Sequence, residues 1–129
     1  MTDYLKELNT DQIKAVVQID GASMVIAGAG SGKTRVLTYK VAHLLKNGIS
    51  PFNILALTFT NKASKEMRNR IDRIVGGQQS RNLWMGTFHS VFSRILRAEA
   101  EKIHFPTNFT IYDTADSKSL IRSIIKDLN

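Results

Sequence analysis

Ala27-Gly28-Ala29-Gly30-Ser31-Gly32-Lys33-Thr34 decides how the rest of this chain is read. It follows Ser23 to Ala27, an apolar run suited to a buried strand, and opens a stretch with helical periodicity from Lys33 to about Asn47. Strand, glycine-rich turn and helix in this order suit a triphosphate. Glycines reach positive φ without steric cost, so Gly28, Gly30 and Gly32 let the backbone amides of Gly28 to Gly32, including Ala29 and Ser31, turn inward. The positive end of the helix beginning at Lys33 points at the anion. Lys33 is placed to reach the β- and γ-phosphates, and the Thr34 hydroxyl to ligate Mg²⁺, which makes these two the candidate catalytic residues and Mg²⁺ an expected cofactor. The usual pattern begins with Gly where this chain has Ala27. That position lies at the strand end and meets no phosphate, so a methyl group fits. The alternative is a strand-to-helix turn that binds nothing.

Outward from this loop, Asn9 and Gln12 have capping-box spacing for a helix running to about Ile19, burying Ile13, Val16 and Val17. Val36, Leu37, Val41, Leu44 and Leu45 share a face of the helix after the loop, and Gly48 stops it. Pro51 precedes a second strand, Ile54 to Phe59. A basic helix follows from about Lys62 to Val75, with Ala63, Met67, Ile71 and Ile74 inward and Gly76-Gly77 at its end. Leu83 to Met85 reads as a third strand, then Thr87 to about Lys102 as a helix burying Phe88, Phe92, Ile95 and Leu96. Phe109 to Tyr112 reads as a short strand or extended piece. Asp113 caps a last helix with Leu120, Ile121, Ile124, Ile125 and Leu128 on one stripe. Alternating strands and helices predict an α/β fold, a parallel sheet flanked by helices.

The 129 residues suffice for one core, and 43% hydrophobic with 22% charged residues describes a globular chain. No cysteine is present, which excludes disulfide frameworks and thiolate metal sites and fits a reducing compartment. Neither a signal peptide nor a run of about 18 apolar residues is apparent, so no membrane partner is expected. The formal charge is +7, and residues 51–100 hold most of the excess, eight basic side chains against three acidic ones. A polyanion such as nucleic acid is the natural partner of Lys62, Lys65, Arg68, Arg70, Arg73, Arg81, Arg94 and Arg97. A solvated basic surface is the alternative.

Four segments in order, Leu8-Asn9-Thr10-Asp11-Gln12, the glycine-rich loop, Ala56-Leu57-Thr58-Phe59-Thr60-Asn61-Lys62-Ala63 and Gly86-Thr87-Phe88-His89-Ser90, resemble the amino-terminal part of the UvrD/PcrA/Rep DNA helicases of superfamily one. The resemblance covers essentially the whole chain. It implies a RecA-like ATP-binding domain over residues 1–90, the start of an inserted helical subdomain over 91–129, and a motor moving 3′ to 5′ on single-stranded DNA by ATP hydrolysis. It also implies a cytoplasmic, nucleoid-associated bacterial setting, single-stranded DNA and single-strand/duplex junctions as substrates, and accessory proteins of repair or replication as partners. Residue by residue, Gln12 matches the adenine-reading glutamine, with helix capping as its other role. The loop from Ala27 to Thr34 matches the phosphate-binding segment, and Arg35 a position beside the base. Thr58, Phe59, Thr60, Asn61 and Lys62 match a segment contacting single-stranded DNA, where Phe59 offers a stacking face and Thr60 and Asn61 donors at a helix head. A core aromatic for Phe59 and a capping role for Thr60 or Asn61 are the alternatives. Thr87, Phe88 and His89 match the next DNA-facing segment. Trp84 has a ring that could stack on a base, but inside an apolar strand it reads as core.

Hydrolysis requires a second acidic motif on a later strand, and no Asp-Glu pair follows a strand here. Asp113, with Asp116 three residues on, reads as a helix cap. The arginines that the family supplies from a second motor domain have no counterpart either. The expectation is therefore an amino-terminal part of a longer helicase, inactive alone. A small self-contained phosphate-loop kinase, or a non-catalytic nucleotide- or DNA-binding module, are the competing readings.

Overall fold

The computed structural model describes residues 3–77 and 79–128. A 3-10 turn, Asp3–Glu7, leads into helix α1, Thr10–Val17. Asn9 caps it as the spacing predicts: its side chain accepts from the Gln12 amide at 2.9 Å, and Gln12 Oε1 accepts from the Asn9 amide at 3.1 Å. Helix α2 spans Lys33–Lys46 and closes at Asn47. A 3-10 turn begun by Pro51 then feeds strand β1, Leu55–Thr58. Helix α3, Asn61–Val75, starts at a Thr60 cap that accepts from the Ala63 amide at 3.1 Å and ends on Gly76 at φ 74°. Strand β2, Trp84–Thr87, runs parallel to β1 in the register Leu55↔Trp84 through Thr58↔Thr87. Helices α4, Phe88–Ala98, and α5, Thr114–Leu128, complete the chain, with a 3-10 turn at Ala100–Ile103 between them.

The chain divides into two compact units, Met1–Phe92 and Ser93–Asn129. In the first, two clusters make the core. Val41 and Leu45 of α2 meet Met67 and Ile71 of α3 over Ala56 and Met85 of the sheet. Leu5, Leu8 and Val16 pack on Val36 and Tyr39 at the other end of α2. Each valine, leucine, isoleucine or methionine side chain buried this way contributes about 1.5–3 kcal/mol. Polar links add to it. The Arg68 guanidinium donates to the carbonyls of Ser80 and Met85, and the Asp72 carboxylate accepts from the Ser80 amide and hydroxyl at 3.1 and 2.7 Å. Arg68 thus serves the fold rather than the solvated basic face.

Several expectations are corrected. Ser23 to Ala27 forms no strand, and Met24 and Ile26 are 84% and 88% exposed. A run fit for burial on both faces needs hydrogen-bonded neighbours on both sides, and the described residues supply none. The sheet has two strands among the described residues, so the flanked parallel sheet is present only in part. Of the two readings of Phe109 to Tyr112, the strand is absent, since the segment has no partner strand among the described residues. On the helices, Val17 and Leu37 lie exposed at the margin of the inward stripe. In α4 the buried residue is Val91, whereas Phe88, Phe92 and Leu96 are exposed and Ile95 half-buried; the helix also stops at Ala98, short of Lys102. No residue of α5 is buried, so its apolar stripe is uncovered. Asp113 does cap that helix, accepting from the Asp116 amide at 2.8 Å.

Candidate nucleotide and DNA sites

The loop before α2 is held by short-range bonds. Gly30 and Gly32 stand at φ 76° and 88°, and the Ser31 hydroxyl donates to the Gly28 carbonyl at 2.7 Å. The second hydrogen-bonding group of Gln12 belongs here: Nε2 donates to the Ser31 carbonyl at 3.2 Å, while Oε1 completes the α1 cap. Capping and proximity to the loop therefore coexist in one amide. A primary amide has two N–H donors and two oxygen lone pairs, so one of each remains for the N7 and N6 edge of an adenine. Gly32 fits tightly beneath this amide, where a Cβ would lie 2.9 Å from Gln12 Nε2. Around Gly28 and Gly30 nothing comes within 4 Å of the equivalent position, which leaves the space a phosphate chain requires.

Lys33 Nζ donates to the carbonyls of Ala27 and Gly28 at 2.9 and 2.7 Å, so its charge bridges the mouth of the loop. Thr34 is exposed, and its carbonyl accepts from the Thr38 hydroxyl one turn later at 2.7 Å. These residues fit a Mg²⁺-triphosphate: exposed backbone at a helix N-terminus, where the Ser31 amide donates to the Gly28 carbonyl at 3.3 Å, an ammonium centred on the turn, and the exposed Thr34 next to it in the chain. Among the described residues no group of three or more histidine, cysteine or carboxylate side chains gathers for a metal.

Arg35 has partners that its sequence position does not announce. It pairs with Glu7 at 3.2 Å and stacks over the Tyr39 ring at 5.6 Å. The Tyr39 hydroxyl donates to the same carboxylate at 2.5 Å, and burial, followed by the Glu7 bond, pushes its pKa up. Glu7 lies 28 residues before Arg35, beyond the reach of helical spacing; only the Arg35–Tyr39 separation of one turn was a usable signal.

The second site forms where the sheet ends. Thr58 and Thr87 are register partners, so the segments beginning at Phe59 and Phe88 leave adjacent strands at one edge. Phe59 is 97% exposed, which removes a core role for its ring. Thr60 caps α3, while Asn61 and Lys62 are exposed on its first turn. Thr58 is buried and its hydroxyl donates to the Thr60 and Gly86 carbonyls at 3.0 and 3.4 Å, so it braces the edge from behind. Phe88 is 57% exposed and stacks on Phe92 with centroids 6.2 Å apart; His89 beside it is exposed. Half-buried Thr87 accepts from the Ser90 amide at 3.3 Å. Gly86 permits this turn: a Cβ there would meet Ser90 Oγ at 2.5 Å and Val91 Cγ2 at 3.0 Å. Trp84 is half-buried within β2.

Residues 8–129 match the family described as the UvrD/REP helicase N-terminal domain. The chain is 48% identical over 130 residues to the ATP-dependent DNA helicase PcrA of Staphylococcus aureus, and 48% identical over 130 residues to that of Staphylococcus epidermidis. Each comparison covers 100% of this chain and 18% of the relative.

Proposed function

This chain belongs to the UvrD/REP helicase N-terminal domain family, and from that premise we propose that it is the part of an ATP-dependent, 3′ to 5′ DNA helicase that grips nucleotide and single-stranded DNA. Its similarity spans only 18% of the PcrA relatives, and the motor activity, including hydrolysis and translocation, belongs to the longer protein. The single observation that carries the reading is the Thr58↔Thr87 register, which sets the Phe59 and Phe88-His89 segments side by side. Ligands of parallel sheets sit beyond the carboxyl ends of the strands, where both segments emerge. Phe59 stacks on a base, Thr60, Asn61 and Lys62 meet backbone phosphates, and Thr87, Phe88 and His89 continue the same track.

At the loop, the amides of Gly28 to Gly32 and the Lys33 ammonium hold the phosphates, Thr34 holds Mg²⁺, and Gln12 with Arg35 orients the base. Bound ATP supplies the free energy that the complete motor converts to movement. The one acid that ends an apolar run, Asp113, is committed to capping α5. The chain alone binds weakly and does not turn over. A cytoplasmic location and service in DNA repair or replication, at single-strand/duplex junctions, complete the proposal; among the described residues no helix is long and apolar enough to cross a membrane.

Phosphate release from the 129-residue chain with single-stranded DNA is expected at background, and robust turnover would refute the assignment of the missing acid. Lys33→Ala is expected to remove nucleotide binding, at about 1.5–3 kcal/mol for each charge-assisted bond lost, with an unchanged circular dichroism spectrum. Retained affinity would refute the loop assignment.

A further inference from the structure

A second concentration of positive charge lies away from the strand-end edge and meets the nucleotide site only at Arg35. A pocket of about 550 Å³ opens between the first 3-10 turn, α2 and the C-terminal half of α3. Four cations line it, Arg35, Lys46, Arg70 and Arg73, against one carboxylate, Glu7. Glu7 neutralises Arg35, and Glu66 pairs with Arg70. Lys46 and Arg73 have no ion-pair partner among the described residues. Two tyrosines hold the charges in place rather than offering donors. The Lys46 ammonium sits 4.6 Å from the Tyr4 ring centroid, and the Arg35 guanidinium sits over Tyr39. Both hydroxyls are engaged, Tyr4 with His43 Nδ1 at 2.7 Å and Tyr39 with Glu7.

A cavity lined by more cations than it can neutralise, three of them arginine forks, suits tetrahedral oxyanions carrying several charges. We propose that this pocket is a phosphoryl-binding site separate from the glycine-rich loop. It takes the backbone of a polynucleotide, or a free polyphosphate of the same chemistry, without reading a base. Its position supports an independent contact. Asn61 opens α3 at the strand-end edge and Arg73 lies twelve residues further on, about 18 Å at 1.5 Å per residue. An occupant of the pocket therefore leaves the Phe59 edge clear.

The test uses the Lys33→Ala chain, silent at the loop, with and without the pair Lys46→Gln and Arg73→Gln. Oligothymidylate binding is followed by anisotropy across a salt series, and tripolyphosphate binding by calorimetry. If the occupant is a polynucleotide, neutralising two contacts lowers the steepness of the log K against log salt plot by about 1.4. If it is a free polyphosphate, the oligothymidylate slope stays and tripolyphosphate affinity falls at least tenfold. No change in either overturns the proposal. The charge-keeping pair Lys46→Arg and Arg73→Lys is expected to retain binding, with the same thermal midpoint as its parent. An equal loss in that pair would also overturn the proposal, since shape and not charge would then be responsible. Because every arm lacks the loop lysine, failure here leaves the nucleotide assignment standing.

Discussion

The loop at Ala27–Thr34 and the strand-end edge at Thr58 and Thr87 carry comparable chemistry on unlike foundations. The edge stands on paired strands, with Ala56 and Met85 in the core beneath it, Arg68 tying helix to strand and Thr58 tying strand to strand. The loop follows a segment without a strand partner among the described residues, whose Met24, Val25 and Ile26 are exposed. It owes its shape to glycine geometry, the Gln12–Ser31 bond and the inward-turned Lys33. The strand-end edge is therefore fixed by tertiary packing and the glycine-rich loop by local chemistry. A stability change should reach the first before the second, and a binding change in one need not alter the other.

The strongest way to break this contrast is Ile71→Ala, which empties a fully buried site of α3 under the sheet. It is expected to cost about 2–5 kcal/mol by chemical denaturation, with oligonucleotide binding lost together with the fold. Survival of the edge without that side chain would show that packing does not hold it. Phe59→Ala acts on the ligand alone. Titration with oligonucleotide should show about 1–3 kcal/mol of lost affinity, at an unchanged melting temperature, because the ring is 97% exposed. A drop in melting temperature with intact binding would assign the ring to packing instead. The smallest effect belongs to Ile26→Thr in the unpaired segment, expected within about 0.5 kcal/mol of the parent in stability. A loss several times larger would mean that this segment is buried in solution and that the contrast between the two regions is false.

The residues themselves disclosed much of this organisation, for physical reasons. Caps and stops are local, so the Asn9–Gln12 box, the Gly76 stop and the Asp113 cap were all legible. Helices α2 and α3 carried a 3.6-residue apolar stripe, and Val36, Val41, Leu45, Met67 and Ile71 are buried as the stripe requires. Of the inferences that depended on a neighbour, the parallel pairing of β1 with β2 held and others failed. An apolar run becomes a strand only beside another strand, and Ser23 to Ala27 has none among the described residues. Phe88 and Phe92 have helical spacing for burial, yet they stack on one another in the open while Val91 faces inward. The site shows the same division. The loop was readable from eight consecutive residues, whereas the Glu7 carboxylate holding Arg35 and Tyr39 comes from a distant turn that no periodicity connects to them.

The most direct measurement is photocrosslinking of a bromouracil-substituted single strand to the chain, with the crosslinked peptides mapped by mass spectrometry. Crosslinks at Phe59 to Lys62 and also at Phe88 and His89 are predicted, both sets diminished together by Phe59→Ala. Crosslinks confined to one of the two segments, or falling outside both, would contradict a shared DNA-gripping edge.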